Sequence, residues 1–529
     1  MGTSVLADIM PDLVSHLKDD LPKTSPRLIE NKNGSLLMWS EADKYLYSTP
    51  TITSNLKSSS YQTLITSISP VFDITTLRSS PTSQYALVFG PNGIGIIEMP
   101  RKYGDEGLFE GGKPTIHCRF TILDESYFTH HISTKIIQVA WYPGSPNDTH
   151  VVALTNDNCL RFYDITMPDQ PMMRLPLFDN PNAQRTVSHF ACVTGDLAVD
   201  FDIGLPSVDE AGVATFPIYI MQESGDVWAL YCKFSQNRLV VEMQGPLTMN
   251  PPAADNYGCN YCSILCLPSS PVTVAMATQM GTVHHCLVLG ALEEEEEMGD
   301  LNLNRGSHKE DLYVYESIQL QLNWIGSDDG DEDHEDDAAL MKMNDIQLVL
   351  NGDLGYITVS EGGLHAVRLP WLNDLTNFLQ PQEDAQPEIT TPAEVAYMLC
   401  TQPSEDCPAL AVCGCAVVQQ FAGDNALLVL LSTGEIVSLH HKSPIARIQS
   451  EFDQTTAGVD ESCTSPLRKL HGCGGFDRYI QGILTKNTTV PVIRSGGDTQ
   501  TIPADTYYKL LTKTTQVLHE EYLSKMVQV

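Results

Sequence analysis

Cysteine and histidine side chains, the usual ligands of zinc, are concentrated in one stretch of the chain. They are Cys259, Cys262, Cys266, His284, His285 and Cys286. The spacing of Cys259 and Cys262 is that of a zinc-binding pair, but no second pair with this spacing follows. Cys262 and Cys266 fall in or beside an apolar segment, where cysteine is an ordinary small core residue. The sequence therefore favours a structural role for these residues, with zinc binding as the alternative.

A glycine-rich segment at 107–113 begins like a phosphate-binding loop, with the sequence Gly-Leu-Phe-Glu-Gly-Gly-Lys. In such a loop the next residue is Ser or Thr, whose hydroxyl binds magnesium. Pro114 occupies this position and also lacks the backbone N–H that a phosphate would need. No helix is predicted after the segment, so we interpret it as an exposed loop. Isolated histidines such as His365 are better explained as strand residues, and we predict no catalytic residue, no metal ion and no cofactor.

Two runs of acidic residues interrupt the sequence, at 293–297 and 328–337. Neighbouring carboxylates repel one another and stay hydrated, which predicts loops exposed to solvent. The second run does not match a calcium-binding loop, because alignment on Gly330 would place Ile325 at the first ligand position. We favour a solvated insert, and the attachment of basic partner proteins is the alternative.

The elements that must position these residues are β-hairpins, which recur about seven times along the chain. Each copy is an apolar strand, a tight turn and a second apolar strand, and the first copy is degenerate. The turns lie at 41–43, 91–93, 156–158, 224–226, 281, 362–363 and 434. One hairpin cannot bury its own faces, whereas a ring of hairpins can. We therefore predict an all-β fold, a seven-bladed β-propeller, with a short helical extension at its C-terminal side.

The predicted domains follow from where this pattern begins and ends. Residues 1–30 form an N-terminal leader, and 31–445 form the propeller, with a partly disordered acidic insert at 291–345. From 446 to 529 the apolar spacing becomes helical, and Asp505 is placed to cap a longer helix.

The charge of the chain restricts its partners. Its 529 residues include 66 acidic and 31 basic ones, which gives a formal net charge of −35. Nucleic acid and anionic membrane surfaces are disfavoured by this balance, whereas basic protein surfaces are attracted. Solubility alone explains the charge equally well. We find no secretory signal and no apolar run long enough to span a membrane, and the 14 cysteines are expected to be reduced thiols.

Four groups of segments resemble the nucleoporin 88 family. They are 98–104 with 109–113, 140–143 with 150–158, 245–258 with 266–268, and 465–468. The resemblance covers most of the chain. It implies a seven-bladed propeller followed by a coiled coil that would lie beyond Val529.

The resemblance also implies a function. The family is a non-enzymatic scaffold on the cytoplasmic face of the nuclear pore complex, in support of protein and messenger-RNA export. Its propeller docks the autoproteolytic domain of nucleoporin 98. Its coiled coil contacts nucleoporin 214 and nucleoporin 62, and an export receptor is reached indirectly. A generic propeller adaptor, such as one for a ubiquitin ligase, is the alternative.

For the nucleoporin 98 contact we predict a loop between blades that combines apolar anchors with acidic neighbours. The candidate residues are Asp200, Phe201, Asp202, Ile203 and Leu205. Phe201 and Leu205 would fill pockets, while Asp200 and Asp202 would meet basic side chains. In the alternative interpretation the segment is a linker between strands, and Phe201 packs inward.

Overall fold

A computed structural model of the chain describes most residues between 27 and 440. The described ranges are 27–50, 61–103, 108–177, 197–208, 214–235, 238–247, 249–250, 260–290, 310–320, 322, 346–350, 355–360, 362–379, 391–401, 410–419 and 425–440. They belong to the first of two compact units into which the chain divides, Met1–Arg447. The predicted helical extension at 446–529 and the predicted leader up to 26 lie outside the described residues.

The described residues are mainly β-strands. In the N-terminal half these are β1 (Ile29–Lys32), β2 (Ser35–Ser40), β3 (Tyr45–Pro50), β4 (Gln62–Thr66), β5 (Thr76–Ser79), β6 (Tyr85–Gly90), β7 (Gly93–Glu98), β8 (Thr115–Cys118), β9 (Phe120–Leu123), β10 (Ile136–Trp141), β11 (His150–Thr155), β12 (Cys159–Asp164), β13 (Met173–Pro176), β14 (Ala198–Ile203) and β15 (Ser207–Val208). In the C-terminal half they are β16 (Ala214–Gln222), β17 (Val227–Ser235), β18 (Arg238–Gln244), β19 (Met249–Asn250), β20 (Tyr261–Leu267), β21 (Thr273–Thr278), β22 (Thr282–Gly290), β23 (Glu310–Gln319), β24 (Gln347–Leu350), β25 (Gly355–Ser360), β26 (Gly363–Arg368), β27 (Glu394–Cys400), β28 (Val412–Gln419), β29 (Asn425–Leu431) and β30 (Ile436–His440). Two α-helices, α1 (Glu125–His130) and α2 (Trp371–Leu379), and a 3-10 turn at Pro146–Asp148 connect strands.

The strands form seven sheets, which are the blades of a β-propeller. In the order of hydrogen bonding they are β1-β2-β3-β4-β8, β5-β6-β7-β9, β10-β11-β12-β13, β14-β16-β17-β18 with β15 beside β16, β19-β23-β22-β21-β20, β24-β25-β26-β27 and β28-β29-β30. We number these sheets blades 1 to 7. The predicted seven-bladed propeller is confirmed.

In blades 1 to 6 each predicted hairpin supplies two strands from the middle of the sheet, and in blade 7 it supplies the second and third of the three described strands. The pairs are β2–β3, β6–β7, β11–β12, β16–β17, β21–β22, β25–β26 and β29–β30. Strands β2, β11, β21 and β25 are buried along their whole length, which is why their sequences are apolar with little alternation. The repeat in the sequence is therefore the repeat of the buried middle of each blade.

The ring closes between blades 7 and 1. The backbone N–H of Leu28 donates to the carbonyl oxygen of Cys413 at 3.0 Å. The carbonyl oxygen of Leu28 in turn accepts a hydrogen bond from the backbone N–H of Trp39 at 2.9 Å. One hydrophobic cluster contains Trp39 and Ile29 from blade 1 together with Cys413 from blade 7. This contact brings the two ends of the described chain together.

Two blades receive an additional outer strand from a long connection. Strand β8 lies in sequence between two strands of blade 2, yet it pairs with β4 of blade 1 in parallel, with Thr63 opposite Thr115. In blade 5 the short strand β19 pairs in parallel with β23. The connection through β8 therefore ties blade 2 to blade 1.

Two further predictions from the sequence, on the acidic runs and on membrane-spanning segments, can be compared with the structure. Strand β23 lies between the two acidic runs, while the runs themselves, predicted as exposed loops, lie outside the described residues. Within the described part of the chain, we find no helix that has both the length and the apolar character needed to cross a membrane.

Candidate docking face

Successive strands within each blade run in opposite directions, so the loops that join them lie alternately at the two faces of the ring. We count the strands of a blade from the innermost one outward. One face, which we name the candidate docking face, carries the connections between the first and second strands and between the third and fourth. In blades 1 to 4 its described loops are 33–34, 80–84, 99–103 with 108–114, 142–149, 165–172 and 204–206. The hairpin turns and the crossings between blades, such as 67–75, lie at the opposite face.

Hydrogen bonds between side chains and loops connect blades 1, 2 and 3 along the candidate docking face. Lys102 Nζ donates to the carbonyl oxygen of Asn33 at 3.0 Å, and Asn33 Nδ2 donates to Ser83 Oγ at 2.8 Å. Thr82 donates to Asp148 Oδ2 through its backbone N–H at 2.8 Å and its hydroxyl at 2.6 Å. Loops tied in this way lose less conformational entropy when a partner binds.

Large apolar side chains are exposed on this face in three consecutive blades. Tyr103 is 56% exposed between blades 1 and 2, Met167 is 69% exposed in blade 3, and Leu205 and Val208 are 45% and 65% exposed in blade 4. Exposed apolar groups held by a rigid frame are the usual anchors of a protein interface.

The structure corrects the predicted partner-binding loop. Its first half is strand β14, the innermost strand of blade 4, and Phe201 is only 1% exposed within a hydrophobic cluster. The interpretation of Phe201 as an exposed anchor is wrong, and the alternative in which it packs inward holds. Leu205 follows the end of the strand and is the member of the set that a partner can reach. The role of these residues in binding stays a prediction.

The two aspartates of β14 bond to neighbouring strands. Asp200 accepts hydrogen bonds from Ser263 Oγ at 3.0 Å, from the N–H of Ile264 at 3.1 Å and from Gln138 Nε2 at 3.2 Å. Asp202 accepts from the N–H of Cys266 at 2.7 Å. These bonds join blades 3, 4 and 5, so the carboxylates that we predicted to meet a partner act inside the ring.

Burial changes the ionisation of these carboxyl groups. It raises the pKa of Asp200, and it raises the pKa of Asp202 to about 6 although the backbone N–H groups of Cys266 and Ile203 favour the charged form. The same desolvation raises the pKa of Glu30, which accepts hydrogen bonds from Ser79. These carboxyl groups, which face the interior of the ring, therefore retain their protons at a higher pH than surface carboxyl groups do.

The innermost strands surround a central cavity of about 380 Å³. Its polar lining includes Arg27, Arg78, Glu30, Asp200 and Asp202. Arg27 donates to Gln347 Oε1 at 2.9 Å and to the carbonyl oxygen of Leu348 at 3.1 Å, and its burial, with a smaller effect of Arg78, lowers its pKa to about 10. Sequence analysis missed Arg27 because a single arginine in a presumed leader carries no signal.

The residues that we considered as zinc ligands or as a nucleotide-binding loop contact other parts of the propeller. The cysteines and histidines of the first group that are described lie in β20 and β22, where His285 is hydrogen-bonded to Tyr356 at 2.7 Å. In the portion of the chain that the structure covers, no group of three or more potential ligands is placed to hold a metal ion. In the described part of the glycine-rich segment, Phe109 is buried and residues 111–113 are exposed at a turn, and strand β8 follows them.

Comparison with known families identifies the chain. The model of the Nup88 family, described as a nuclear pore component, matches residues 6–529. The chain belongs to the Nup88 family. It is therefore a scaffold component of the nuclear pore complex, and the predicted resemblance is confirmed.

This Nup88-family chain is similar to chains of two solved nucleoporin complexes. One chain of the Chaetomium thermophilum heterotrimeric Nup82 NTD–Nup159 TAIL–Nup145N APD complex has a TM-score of 0.57 and 13% identity, over 80% of this chain and 96% of that one. A chain of the yeast heterotrimeric Nup82–Nup159–Nup116 nucleoporin complex has a TM-score of 0.49 and 13% identity, over 79% and 98%. The first of these similarities supports the propeller architecture.

Proposed function

We propose that this propeller is a non-enzymatic docking module that holds the autoproteolytic domain of nucleoporin 98 at the cytoplasmic face of the nuclear pore complex. In this role it supports the export of protein and messenger RNA. Membership of the Nup88 family supports the scaffold role. The similar Chaetomium propeller was solved together with a Nup145N APD, which supports this class of partner. We assign the contacts with nucleoporin 214 and nucleoporin 62 mainly to the coiled coil that the family resemblance implies, and an export receptor would be reached indirectly through these partners.

The main support for a docking site at this position is the exposure of Leu205 and Val208, which lie beside a rigid strand. Val208 lies in β15, which pairs with β16, and the N–H of Gly204 donates to the carbonyl oxygen of Pro217 at 2.9 Å. Both apolar side chains thus stand on backbone that is already fixed by hydrogen bonds. A partner that covers them gains burial of apolar surface at a small entropic cost.

Calorimetric titration of the full chain with a purified nucleoporin 98 autoproteolytic domain tests the proposal. We expect Leu205→Ala combined with Val208→Ala to weaken binding by about tenfold or more. The matched control is Ile68→Ala with Val71→Ala, a pair that is 58% and 72% exposed on the opposite face. Equal affinities for both variants and the wild type would remove this face as the docking site, and the absence of binding by the wild type would overturn the proposed partner.

A further inference from the structure

Two exposed methionines lie in one loop of the candidate docking face. We name residues 165–172, which connect β12 and β13 in blade 3, the methionine loop. Met167 is 69% exposed and Met172 is 42% exposed. Met167 is the most exposed methionine among the residues that the structure describes, whereas Met38 and Met221 are buried inside blades. The loop therefore presents two thioether groups to solvent.

Hydrogen bonds fix the backbone of the methionine loop on both sides of Met167. The carboxylate of Asp164 accepts from the N–H and from the hydroxyl of Thr166, at 2.9 and 2.7 Å. On the other side, the carbonyl oxygen of Pro168 accepts from the N–H of Asp124 at 2.7 Å. Met167 is therefore exposed because the fixed backbone directs it outward, and a partner that covers it orders little more than the side chain itself.

The methionine loop is part of the bonded frame that joins the blades at this face. The N–H of Ile165 donates to the carbonyl oxygen of Thr149 at 2.8 Å, and the preceding Asp148 accepts from Thr82 of blade 2. Specific interfaces cover roughly 800 Å² of each partner, which is more than one loop supplies. We therefore expect a domain docked on this face to contact the methionine loop together with its neighbours.

Oxidation changes what a methionine side chain offers to a partner. When hydrogen peroxide reacts with the sulfur, the O–O bond breaks, an S=O bond forms and the second oxygen leaves as water. The sulfur is oxidised and the peroxide is reduced. The sulfoxide is polar, so that its burial in an apolar interface costs free energy that burial of the thioether does not. Methionine sulfoxide reductases reverse the reaction, so the change can act as a switch.

We propose that the methionine loop is a reversible oxidation site that controls docking. In the reduced state Met167 and Met172 pack against an apolar part of the docked domain, and their sulfoxides weaken the complex. The effect on docking rests on the proposed function, whereas the fast oxidation of Met167 follows from its exposure. Met280 is 43% exposed at the hairpin turn of blade 5, on the opposite face, so its oxidation leaves docking unchanged.

The first part of the test measures which sulfurs react. The full chain is treated with dilute hydrogen peroxide under native conditions, the peroxide is removed, and peptides are analysed by mass spectrometry. We expect Met167 to be oxidised faster than Met280, while Met38 and Met221 stay reduced. Calorimetric titration of the treated chain with the untreated nucleoporin 98 autoproteolytic domain should show an affinity lowered by about tenfold or more. Treatment with methionine sulfoxide reductase should restore it.

Leucine variants separate the two faces of the ring. Leucine is close to methionine in volume and has no sulfur to oxidise. Met167→Leu combined with Met172→Leu should bind the domain within about twofold of the wild type and keep that affinity after peroxide treatment. Met280→Leu is the matched control and should lose affinity after treatment as the wild type does. Thermal unfolding before and after treatment establishes that each chain remains folded.

Two outcomes would overturn the inference: an affinity of the oxidised wild type equal to that of the reduced one, and an equal loss in the wild type and in the double leucine variant. Oxidation of Met167 that is slower than that of Met280 would also contradict it. Absence of binding by the untreated wild type would instead overturn the proposed function, and the control of docking with it. The two failures are therefore distinguished by the titration of the untreated chain.

Discussion

Phe201 and Leu205 show how side chains in one short segment acquire different roles. Phe201 lies on an innermost strand and is buried, whereas Leu205 follows the strand and is 45% exposed. The acidic residues between the apolar ones suggested a surface loop, yet their carboxylates bond across blades inside the channel. A strand that lines a polar cavity and a surface loop can both have alternating acidic and apolar residues. The sequence of this segment therefore does not distinguish a strand from a loop.

We expect Phe201→Ala to destabilise the propeller by about 3 to 5 kcal/mol, because it removes a buried ring and leaves a cavity. Leu205→Ala, four residues away, should change stability by less than about 0.5 kcal/mol. Thermal unfolding of the two variants beside the wild type measures the difference. A similar melting temperature for both would mean that Phe201 is not buried.

Asp202 gives the propeller a stability that depends on pH. An aspartate whose pKa is raised to about 6 binds its proton more tightly in the folded state than in the unfolded one. Its contribution to stability is present below the unfolded pKa of about 4 and is lost as the pH rises through about 6. Asp202→Asn should therefore stabilise the chain by about 2 kcal/mol at pH 7.5 and by almost nothing below pH 4. Melting temperatures across this range test the expectation, and a gain that is equal at both ends would contradict it.

At the scale of elements, single side chains join neighbouring blades. Glu316 in the outer part of blade 5 accepts a hydrogen bond from Trp371 Nε1 at 3.0 Å and another from the N–H of Ala393 at 2.9 Å, both in the connection between strands of blade 6. Trp371 is fully buried and begins helix α2, and the Tyr315 ring lies 4.2 Å from its own ring. The carboxylate therefore fixes α2 on the preceding blade.

Glu316→Ala should destabilise the chain by about 2 kcal/mol, because two donors lose their acceptor. Glu316→Gln retains an acceptor oxygen and should cost less. Glu242→Ala, at an exposed carboxylate of β18, is the matched control. Denaturant unfolding ranks the three variants, and a control that costs as much as Glu316→Ala would show that the blade contact contributes little.

The elements that sequence analysis identified are those with a local signal. All seven hairpins are adjacent in sequence, apolar and joined by short turns, and each was located. Strand β8 carries no such signal, because it pairs in parallel with a strand of another blade about fifty residues earlier. For the same reason, sequence analysis did not identify the loop at 99–114 as part of the candidate docking face. This loop is held by contacts with Gln62 and Asn33, which are distant from it in sequence.

At the scale of the whole molecule, the ring depends on the seam between its first and last blades. Gly414 in β28 has a φ of +143°, and a Cβ there would lie 2.8 Å from Ile29 Cγ2 and 3.1 Å from the backbone nitrogen of Leu28. Only glycine allows the two strands to approach this closely without strain. The close approach of β28 and β1 is thus set by one residue.

Gly414→Ala should lower the stability of the whole propeller by more than about 2 kcal/mol and open blade 7 to proteolysis. Gly290→Ala is the matched control, because no atom lies within 4 Å of the position that its Cβ would take. Melting temperatures and limited trypsin digestion of both variants distinguish them. Tolerance of Gly414→Ala would mean that the two blades are not packed together.

Hydrogen–deuterium exchange of the full chain, with and without the nucleoporin 98 autoproteolytic domain, tests the central claim most directly. We expect the partner to slow exchange in the loops at 80–84, 108–114 and 204–208 and to leave the opposite face unchanged at 67–75 and 279–281. Slowed exchange at 67–75 and 279–281, with the other three loops unaffected, would contradict the proposed orientation of the propeller toward its partner.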